Sequence, residues 1–266
     1  MDRKDVIRSA YRLTGGSSFY DGMITCSTLS GKAVCRLVWA MNKAENDAYL
    51  EKALSGIPEH FSGRLLEVPV GTGILTMPLY QTLPEADITC LDYSADMMGQ
   101  AQEKASRLHL HNVTFRQGDV GALPYEDNTF DIVLSLNGFH AFPDKEAAYR
   151  GVFRVLKPGG TFCGCFYVKG EHKRTDWFVR HVYEKAGFFT PPYETVSSLK
   201  VRLERMYDVC GCEYGQYEKH CLVLLPQSGM MPLWNKEYQH GDQTIWRSDG
   251  QEDHAAAREP HVLAAV

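Results

Sequence analysis

The stretch LLEVPVGTG, from Leu65 to Gly73, decides the fold. It begins as an apolar strand, ends that strand in the acid Glu67, and runs into a turn that contains Gly71 and Gly73. Glycines at such a turn let the backbone approach a ligand closely, and the next helix presents free N–H groups to it. The stretch therefore indicates the first strand and turn of a nucleotide-binding α/β domain, although Pro69 stands where such a turn usually carries its first glycine.

Strand-like and helix-like segments alternate along the chain after this stretch. The strand patterns are RLLEV, DITCLD, VTFRQ, FDIVLSL and TFCGCFYV, and the helix patterns are ILTMPLYQTL, ADMMGQAQEKASRLH, DKEAAYRGVFRVL and RTDWFVRHVYEKAG. Ser94 and Asp144 are predicted N-caps, KPGG a helix stop and Gly187 a C-cap. Strict alternation predicts a doubly wound, mostly parallel sheet. MYDVCGCEYGQY and EKHCLVLLP add two successive strands, which completes a predicted seven-stranded sheet with an antiparallel last strand.

The character of the chain divides it into three parts. Residues 1–63 are predicted to form an N-terminal helical cap, and residues 64–226 the nucleotide-binding domain. Residues 227–266 are polar with little periodicity, which predicts a flexible tail, with a short docked segment around Met231–Trp234 as the alternative.

The net charge, the apolar runs and the cysteine count of the chain exclude several classes of protein. The 266 residues carry a formal net charge of −5 and a pI near 6.1, so the chain has no overall basic footprint for nucleic acid. No apolar run reaches the roughly 18 to 20 residues that a membrane helix needs. The N-terminus has no apolar secretory region, and the eight cysteines are too sparse for a disulfide framework. These features predict a cytoplasmic protein with no membrane span, and they leave the oligomeric state open.

Acids follow three successive predicted strands. Glu67 ends the first strand, Asp92 ends the second, 21 residues beyond Gly71, and Asp119 follows the third. Carboxyl ends of parallel strands meet at one edge of a sheet, where ligands bind, and Asp92 is placed to accept both hydroxyls of a ribose. The dinucleotide fingerprint would need a third glycine at Thr76, and there is no phosphate-cradling G-x-x-x-x-G-K-[ST] or Tyr-x-x-x-Lys pair, which disfavours an NAD-dependent reductase.

The acid-first spacing Glu67-x-Pro69-x-Gly71-x-Gly73 resembles the signature of Rossmann-like, class I S-adenosylmethionine-dependent methyltransferases. LDYSADMMGQA resembles the second motif of that family, GDVGALPYEDNTFDIVLS the third and fourth, and RVLKPGGTF the turn before the fifth strand. Within the family the chain is most similar to small-molecule enzymes of the ubiquinone/menaquinone C-methyltransferase type, in which a segment like FYDGMI covers the cofactor. The resemblance covers about Tyr20 to Leu225, and Pro69 departs from it.

The resemblance implies S-adenosyl-L-methionine as methyl donor and no metal. It implies that Glu67 and the glycines face the methionine part, Asp92 holds the ribose and Asp119 accepts from the exocyclic amine of the adenine. The residues it places at the cofactor are Tyr20, Glu67, Val68, Pro69, Gly71, Thr72, Gly73, Asp92, Tyr93, Met97, Gly118, Asp119, Val120, Leu136 and Asn137.

Three further residues are candidates for a role at the methyl group or the substrate. Tyr20 is expected to pack over the sulfonium or, alternatively, in the core, since a cation gains about 0.5 to 2 kcal/mol beside an aromatic face. Asp21 either orients substrate or caps a helix. His140 lies just past the fourth strand, so it is a candidate general base or a structural group.

The close pairs Cys163-x-Cys165 and Cys210-x-Cys212 have a shorter spacing than zinc sites use, and in a strand they share a face, which predicts packing against helices. Methylation of arsenite would need three cysteines at the site mouth. The segment HKRTDWFVRHVYEKAGFF offers an RNA surface or, more simply, a helix with Trp177, Phe178 and Val182 turned inward.

The predicted function is methyl transfer by in-line displacement to a small, hydrophobic or aromatic acceptor, because the expected substrate lid from Val168 to Leu199 is rich in aromatic side chains. Such a reaction needs positioning and exclusion of water more than it needs a base. The alternative is a non-catalytic protein that binds S-adenosylmethionine in a regulatory or scaffolding role.

Overall fold

The fold is given by a computed structural model of the chain. The residues that the structure describes are Asp21, Ile24, 28–39, Asn42, 44–45, 53–54, 56–207, 211–213, 220–226, 234–240 and 243–248. Tyr20 lies outside them, so its predicted place over the sulfonium stays a prediction.

The central feature is a sheet with five parallel strands. Its strands are β1 (Arg64–Glu67), β2 (Asp87–Asp92), β3 (Val113–Gln117), β4 (Phe130–Leu136), β5 (Leu156–Tyr167), β6 (Gly211–Glu213) and β7 (His220–Pro226). Their order is β3-β2-β1-β4-β5-β7-β6, with β1 to β5 parallel and β7 antiparallel to both β5 and β6. The predicted α/β fold with a parallel sheet is confirmed.

Helix α1 (Leu29–Leu37) precedes the first strand, and further helices follow strands of the sheet. The latter are α2 (Thr76–Tyr80), α3 (Ala95–Arg107), α4 (Lys145–Val155), α5 (Lys173–Phe178) and α6 (Val196–Met206), with a 3-10 turn at Val120–Ala122 and a π-helix at Val179–Tyr183. The chain winds outward from β1 through β2 to β3 and then returns to β4 on the other side of β1. The strand order therefore reverses between β1 and β4, and a crevice at their carboxyl ends is the expected place for a ligand.

The helix starts confirm two predicted caps. The Ser94 hydroxyl accepts a hydrogen bond from the Met97 N–H at the start of α3, and the Asp144 carboxylate accepts one from the Ala147 N–H at the start of α4. Such bonds satisfy N–H groups that the helix itself leaves unpaired. The KPGG segment follows the end of α4 at Val155 and lies within β5.

Two hydrophobic cores lie on opposite faces of the sheet, because successive strand residues point to opposite sides. Leu66 belongs to the core under α4 and α6, and its neighbour Leu65 belongs to the core under α2 and α3. Cys163 and Cys165 are both fully buried in the second core, as their spacing predicts, and neither forms a disulfide.

The helix predicted over RTDWFVRHVYEKAG differs from its prediction. It starts as α5 and continues as the π-helix, in which the Glu184 N–H donates to the Val179 carbonyl, five residues earlier. Trp177 is 53% exposed and Val182 43% exposed, so the prediction that both turn inward is wrong. Trp177 lies before the π-helix, and Thr175 and Val179 are the buried residues of this segment. Val182 lies within the π-helix, through which a pattern of 3.6 residues per turn does not continue.

Two antiparallel strands lie in the segment predicted as a tail, β8 (Trp234–His240) and β9 (Gln243–Ser248). The flexibility of the remaining tail and the boundaries at residues 63 and 226 stay predictions. Among the described residues, no helix combines the length and the apolar character required to cross a bilayer. The predicted cytoplasmic location stays a prediction.

Candidate functional site

Two adjoining cavities lie at the carboxyl ends of the central strands. The first, of about 550 Å³ and called the turn cavity, follows the glycine turn and is lined by Ile24, Glu67, residues 69–76, Asp92, Met97, Leu136 and Asn137. The second, of about 460 Å³ and called the apolar cavity, is lined by Val68, Pro69, residues 91–93, residues 118–120 and residues 141–143. Pro69 and Asp92 line both cavities, so the two form neighbouring halves of one cleft.

The glycine turn depends on both of its glycines, for different reasons. Gly71 has φ +58° and Gly73 has φ +65°, a region that other residues rarely adopt. A Cβ atom on Gly73 would also lie 2.9 Å from Cγ of Met77 and 3.0 Å from Cβ of Ala101. Gly73 therefore lets α2 and α3 approach the turn closely.

Asp92 holds the turn from the neighbouring strand. Its Oδ2 accepts a hydrogen bond of 2.7 Å from the Gly71 N–H, and its Oδ1 accepts one of 2.8 Å from the Ser94 N–H. The residue is 4% exposed, and burial raises its pKa to about 6 while the backbone N–H bonds lower it. The carboxyl group thus fixes both the glycine turn and the start of α3.

Glu67 is the second buried acid of the cleft. It is 1% exposed, and its Oε2 accepts a hydrogen bond of 2.8 Å from the Tyr80 hydroxyl and a 3.6 Å contact from the Cys90 thiol. Burial raises the pKa of Glu67 to about 8. None of the described residues that line either cavity is a lysine, an arginine or a histidine, so the cleft is acidic.

Pro69 is a packed part of the turn. The Val68–Pro69 peptide bond is cis, and the proline ring lies against Gly138 in the loop after β4. A Cβ atom on Gly138 would lie only 2.3 Å from Cδ of Pro69. The proline ring therefore occupies space that Gly138 leaves open.

The N-terminal part of the chain reaches the glycine turn through Asp21. Its Oδ1 accepts a hydrogen bond of 2.6 Å from the Thr72 hydroxyl, and its Oδ2 lies 3.0 Å from Nζ of Lys104 on α3. Ile24, three residues further on, lines the turn cavity. Asp21 thus links the glycine turn to α3.

Asp119 and His140 have different surroundings. The Asp119 carboxylate accepts a hydrogen bond of 3.0 Å from the Gly121 N–H, and the residue lines the apolar cavity. His140 is 8% exposed, and its ring stacks on Phe189 at 4.0 Å between centroids. His140 is absent from the described linings of both cavities, so a catalytic role for it stays a prediction.

The structure brings to the cleft every predicted cofactor residue that it describes, and Tyr20 lies outside the described residues. It also adds residues that the sequence reading missed, since their places depend on tertiary packing. Of these missed residues, only Thr76 had a signal in the sequence, because it stands where the dinucleotide fingerprint would have its third glycine. The missed lining residues are Ile24, Val70, Ile74, Leu75, Thr76, Leu91, Ala141, Phe142 and Pro143.

The sheet order, the glycine turn and the acids at the strand ends define a Rossmann-like methyltransferase. The family described as "Methyltransferase domain" matches residues 65–160. A demethylmenaquinone methyltransferase of Listeria monocytogenes is 31% identical over 172 residues, which cover 59% of this chain and 72% of the relative. The chain belongs to this family of S-adenosylmethionine-dependent methyltransferases, and it is an enzyme of that class.

More distant comparisons agree with the fold. A demethylmenaquinone methyltransferase of Thermus thermophilus is 38% identical over 97 residues, covering 36% of this chain and 44% of the relative. The crystal structure of the YcgJ protein from Bacillus subtilis matches with a TM-score of 0.53 at 18% identity, covering 69% of this chain and 98% of that one. A structure of a geranyl diphosphate methyltransferase matches with a TM-score of 0.56 at 12% identity, covering 70% of this chain and 78% of that one. Among the described residues, no group of three or more His, Cys, Asp or Glu side chains is placed to hold a metal ion.

Proposed function

We propose that the two cavities hold S-adenosylmethionine in two parts, the methionine and sulfonium in the turn cavity and the adenine in the apolar cavity. The division of polarity between the cavities supports this arrangement. The turn cavity presents Glu67 and Asp92 to a ligand that carries positive charge, while Val68, Leu91 and Phe142 give the apolar cavity the character that a flat base requires.

Asp92 is the residue we assign to the ribose, because it lines both cavities. Each of its carboxylate oxygens already accepts one backbone N–H, and a carboxylate oxygen has a second lone pair for a further donor. The carboxylate can thus accept ribose hydroxyls while it holds the turn. Asp119, at the apolar cavity, is assigned to the exocyclic amine of the adenine.

The residues of the chain position the methyl donor and exclude water. A bound S-adenosylmethionine would supply a methyl carbon to which the acceptor bonds in line as the C–S bond breaks, with S-adenosylhomocysteine as the leaving thioether. Enclosure of the donor by the turn, by Ile24 and by Leu136 removes water from the sulfonium. We assign no essential base, and a metal is not part of the proposal.

The acceptor we propose is a small hydrophobic or aromatic molecule. The observation that supports this class is an aromatic cluster beside the loop after β4, in which Phe189 stacks on His140 and lies 6.4 Å from Trp39. Tyr167, Tyr183 and Tyr193 complete that cluster. The relatives named demethylmenaquinone methyltransferases act, by their names, on a demethylated quinone, and we extend that class of acceptor to this chain.

A turnover screen with labelled S-adenosylmethionine tests this proposal. A demethylated quinone with a short side chain is expected to gain label, and amino acids and other polar acceptors are not. Transfer only to very polar acceptors would contradict the proposed acceptor class. Cofactor binding without transfer to any acceptor would favour the non-catalytic alternative, which the comparisons with methyltransferases do not favour.

We also propose that β1 to β7 form the complete sheet of the methyltransferase domain. The strand order and the antiparallel pairing of β7 with β5, from Thr161 opposite Pro226 to Tyr167 opposite His220, support this assignment. The domain would then end at the predicted boundary near residue 226, and truncation there is expected to leave cofactor binding intact.

A further inference from the structure

Glu67 is a buried acid that no lysine, arginine or histidine of the described cavity lining accompanies. It lines the turn cavity at 1% exposure, and no described residue of that lining carries a positive charge. Burial of a carboxylate is costly unless hydrogen bonds or a cation stabilise it. The described part of the cavity wall therefore holds a group whose ionised form has no countercharge beside it.

The groups that act on Glu67 come from α2 and β2. From α2, Tyr80 donates its hydroxyl to Oε2 at 2.8 Å. From β2, the Cys90 thiol contacts the same Oε2 at 3.6 Å, and the charge of Asp92 opposes ionisation. Burial outweighs the hydrogen bonds and raises the pKa of Glu67 to about 8.

The other neighbouring strands add no charge at this point. β4 faces the backbone of Glu67 with Leu134, which is fully buried and apolar. From β5, Cys163 acts on Tyr80, but burial raises the pKa of that thiol to about 12, so it is neutral near physiological pH. Tyr80 is thus the strongest donor to Glu67, and burial raises the pKa of its own hydroxyl well above its usual value.

We propose that Tyr80 is a positioning residue of the cofactor site. Its hydroxyl fixes Glu67 at the cavity wall so that the carboxylate receives the positive end of S-adenosylmethionine. This cofactor binds with loss of the Glu67 proton. The inference rests on the proposed function, because it takes the turn cavity as the methionine half of the site. The proton released on binding goes to solvent.

Charge gives this coupling its direction. S-adenosylmethionine has a net positive charge, because its sulfonium and ammonium outweigh its carboxylate. S-adenosylhomocysteine lacks the sulfonium, and its ammonium and carboxylate cancel to no net charge. A cation beside an acid lowers the pKa of that acid. Affinity for S-adenosylmethionine therefore rises with pH, by up to about tenfold per pH unit, until the pH passes the Glu67 pKa of the free protein. The product, which lacks the sulfonium, is expected to show a weaker dependence.

Calorimetric titration of the full chain with S-adenosylmethionine tests the proposal. Titrations near neutral pH in buffers with different ionisation enthalpies measure the protons released, and we expect about one per bound cofactor. Titrations across the range from about pH 6.5 to 9 give the midpoint of the affinity change. Glu67→Gln is expected to abolish the release of the Glu67 proton. Its affinity for S-adenosylmethionine should then change with pH only through the titration of the ligand's own ammonium.

Tyr80→Phe is the decisive variant, because it removes one hydroxyl and preserves the ring. Loss of this donor disfavours the ionised carboxylate, so the midpoint of the affinity change moves to higher pH and affinity near pH 8 falls by about tenfold. Tyr125→Phe is the matched control, since the Tyr125 hydroxyl is buried without a hydrogen-bond partner and lies outside the described cavity linings. This control is expected to bind like the wild type.

Different results separate this inference from the proposed function. Wild-type binding without proton release, or the same midpoint in Tyr80→Phe as in the wild type, would overturn the inference and leave the proposed function standing. A wild type that does not bind S-adenosylmethionine at any pH would overturn the proposed function itself. If Tyr80→Phe does not fold, Cys90→Ala removes the other contact to Oε2 and is expected to move the midpoint in the same direction by a smaller amount.

Discussion

The two cavities of the cleft lie side by side, but they are built on different principles. The turn cavity has two buried acids, and hydrogen bonds hold each of them in place: Asp92 through the backbone of Gly71 and Ser94, and Glu67 through Tyr80. The apolar cavity shares Asp92 but is shaped mainly by side chains such as Leu91, and its second acid, Asp119, caps a 3-10 turn.

This difference separates recognition by charge from recognition by shape. The turn cavity should distinguish ligands by their positive charge and should depend on pH, because burial raises the pKa of Glu67 to about 8 and that of Asp92 to about 6. The apolar cavity should depend on pH only through the Asp92 that it shares, and its affinity should respond mainly to changes of volume. Pro69 lines both cavities, so its ring forms part of the boundary between them.

Asp92→Ala is expected to have the largest effect. The change removes the acceptor of two buried backbone N–H bonds and the proposed ribose ligand together. Hydrogen bonds to a charged group are worth about 1.5 to 3 kcal/mol each, so affinity for S-adenosylmethionine should fall by at least about a hundredfold. Asp87→Ala, at the exposed start of the same strand, is the control for calorimetry and should bind normally. Equal loss in both variants would contradict a specific role for Asp92.

Glu67→Gln should make the free protein more stable at high pH, although it weakens cofactor binding. Folded Glu67 keeps a proton up to about pH 8, whereas the unfolded chain loses it near the ordinary value of 4.5. The stability of the wild type therefore falls as pH rises through this window, by about 1.4 kcal/mol per pH unit at most. The free energy of unfolding of Glu67→Gln minus that of the wild type should grow by about 2 to 4 kcal/mol between pH 5 and pH 8, which thermal unfolding measures. The exposed Glu85→Gln should show no such growth, and a constant difference for Glu67→Gln would count against the buried acid.

Gly138→Ala tests the packing of Pro69 between the cavities. The new methyl group would lie 2.3 Å from Cδ of Pro69 and 2.8 Å from Cζ of Phe142, an overlap of the kind that costs about 1 to 3 kcal/mol in denaturant unfolding. Gly99→Ala is the matched control, because a Cβ atom there meets nothing within 4 Å. Adding Pro69→Gly to Gly138→Ala should recover part of the loss. No recovery would mean that the proline ring is not the group that conflicts with the methyl group.

Pro69→Gly alone should have the smallest effect on the cofactor. The bond from Gly71 to Asp92 and the conformations of the two turn glycines do not involve the proline ring. Affinity for S-adenosylmethionine should therefore stay within several-fold of the wild type in the same titration. A gain of about a hundredfold, equivalent to about 2.7 kcal/mol, would show that Pro69 damages the turn.

Much of the fold was predictable because its signals are local. The glycine turn, the acids at the strand ends and the caps Ser94 and Asp144 each follow from a few adjacent residues, and the structure places them as predicted. The alternation of strands and helices was sufficient for the parallel sheet.

The parts that sequence could not supply depend on distant contacts. Nothing near Glu67 in the chain indicates that Tyr80 and Cys90 converge on one of its oxygens, because α2 and β2 come together there only in the folded sheet. Likewise, the spacing that predicts Asp92 as a ligand-binding residue did not reveal its bond to Gly71. The inward turn predicted for Trp177 was wrong because Thr175 and Val179 are the residues that tertiary packing buries in this segment.

The central claim is that the acidic cleft between β1 and β4 binds S-adenosylmethionine through the turn that Asp92 holds. Calorimetric titration of this cofactor into the wild type and into Asp92→Ala tests it most directly. The account predicts saturable binding of one cofactor by the wild type and an affinity at least about a hundredfold lower in the variant. Absence of saturable binding to the wild type, or equal affinity in both proteins, would contradict it.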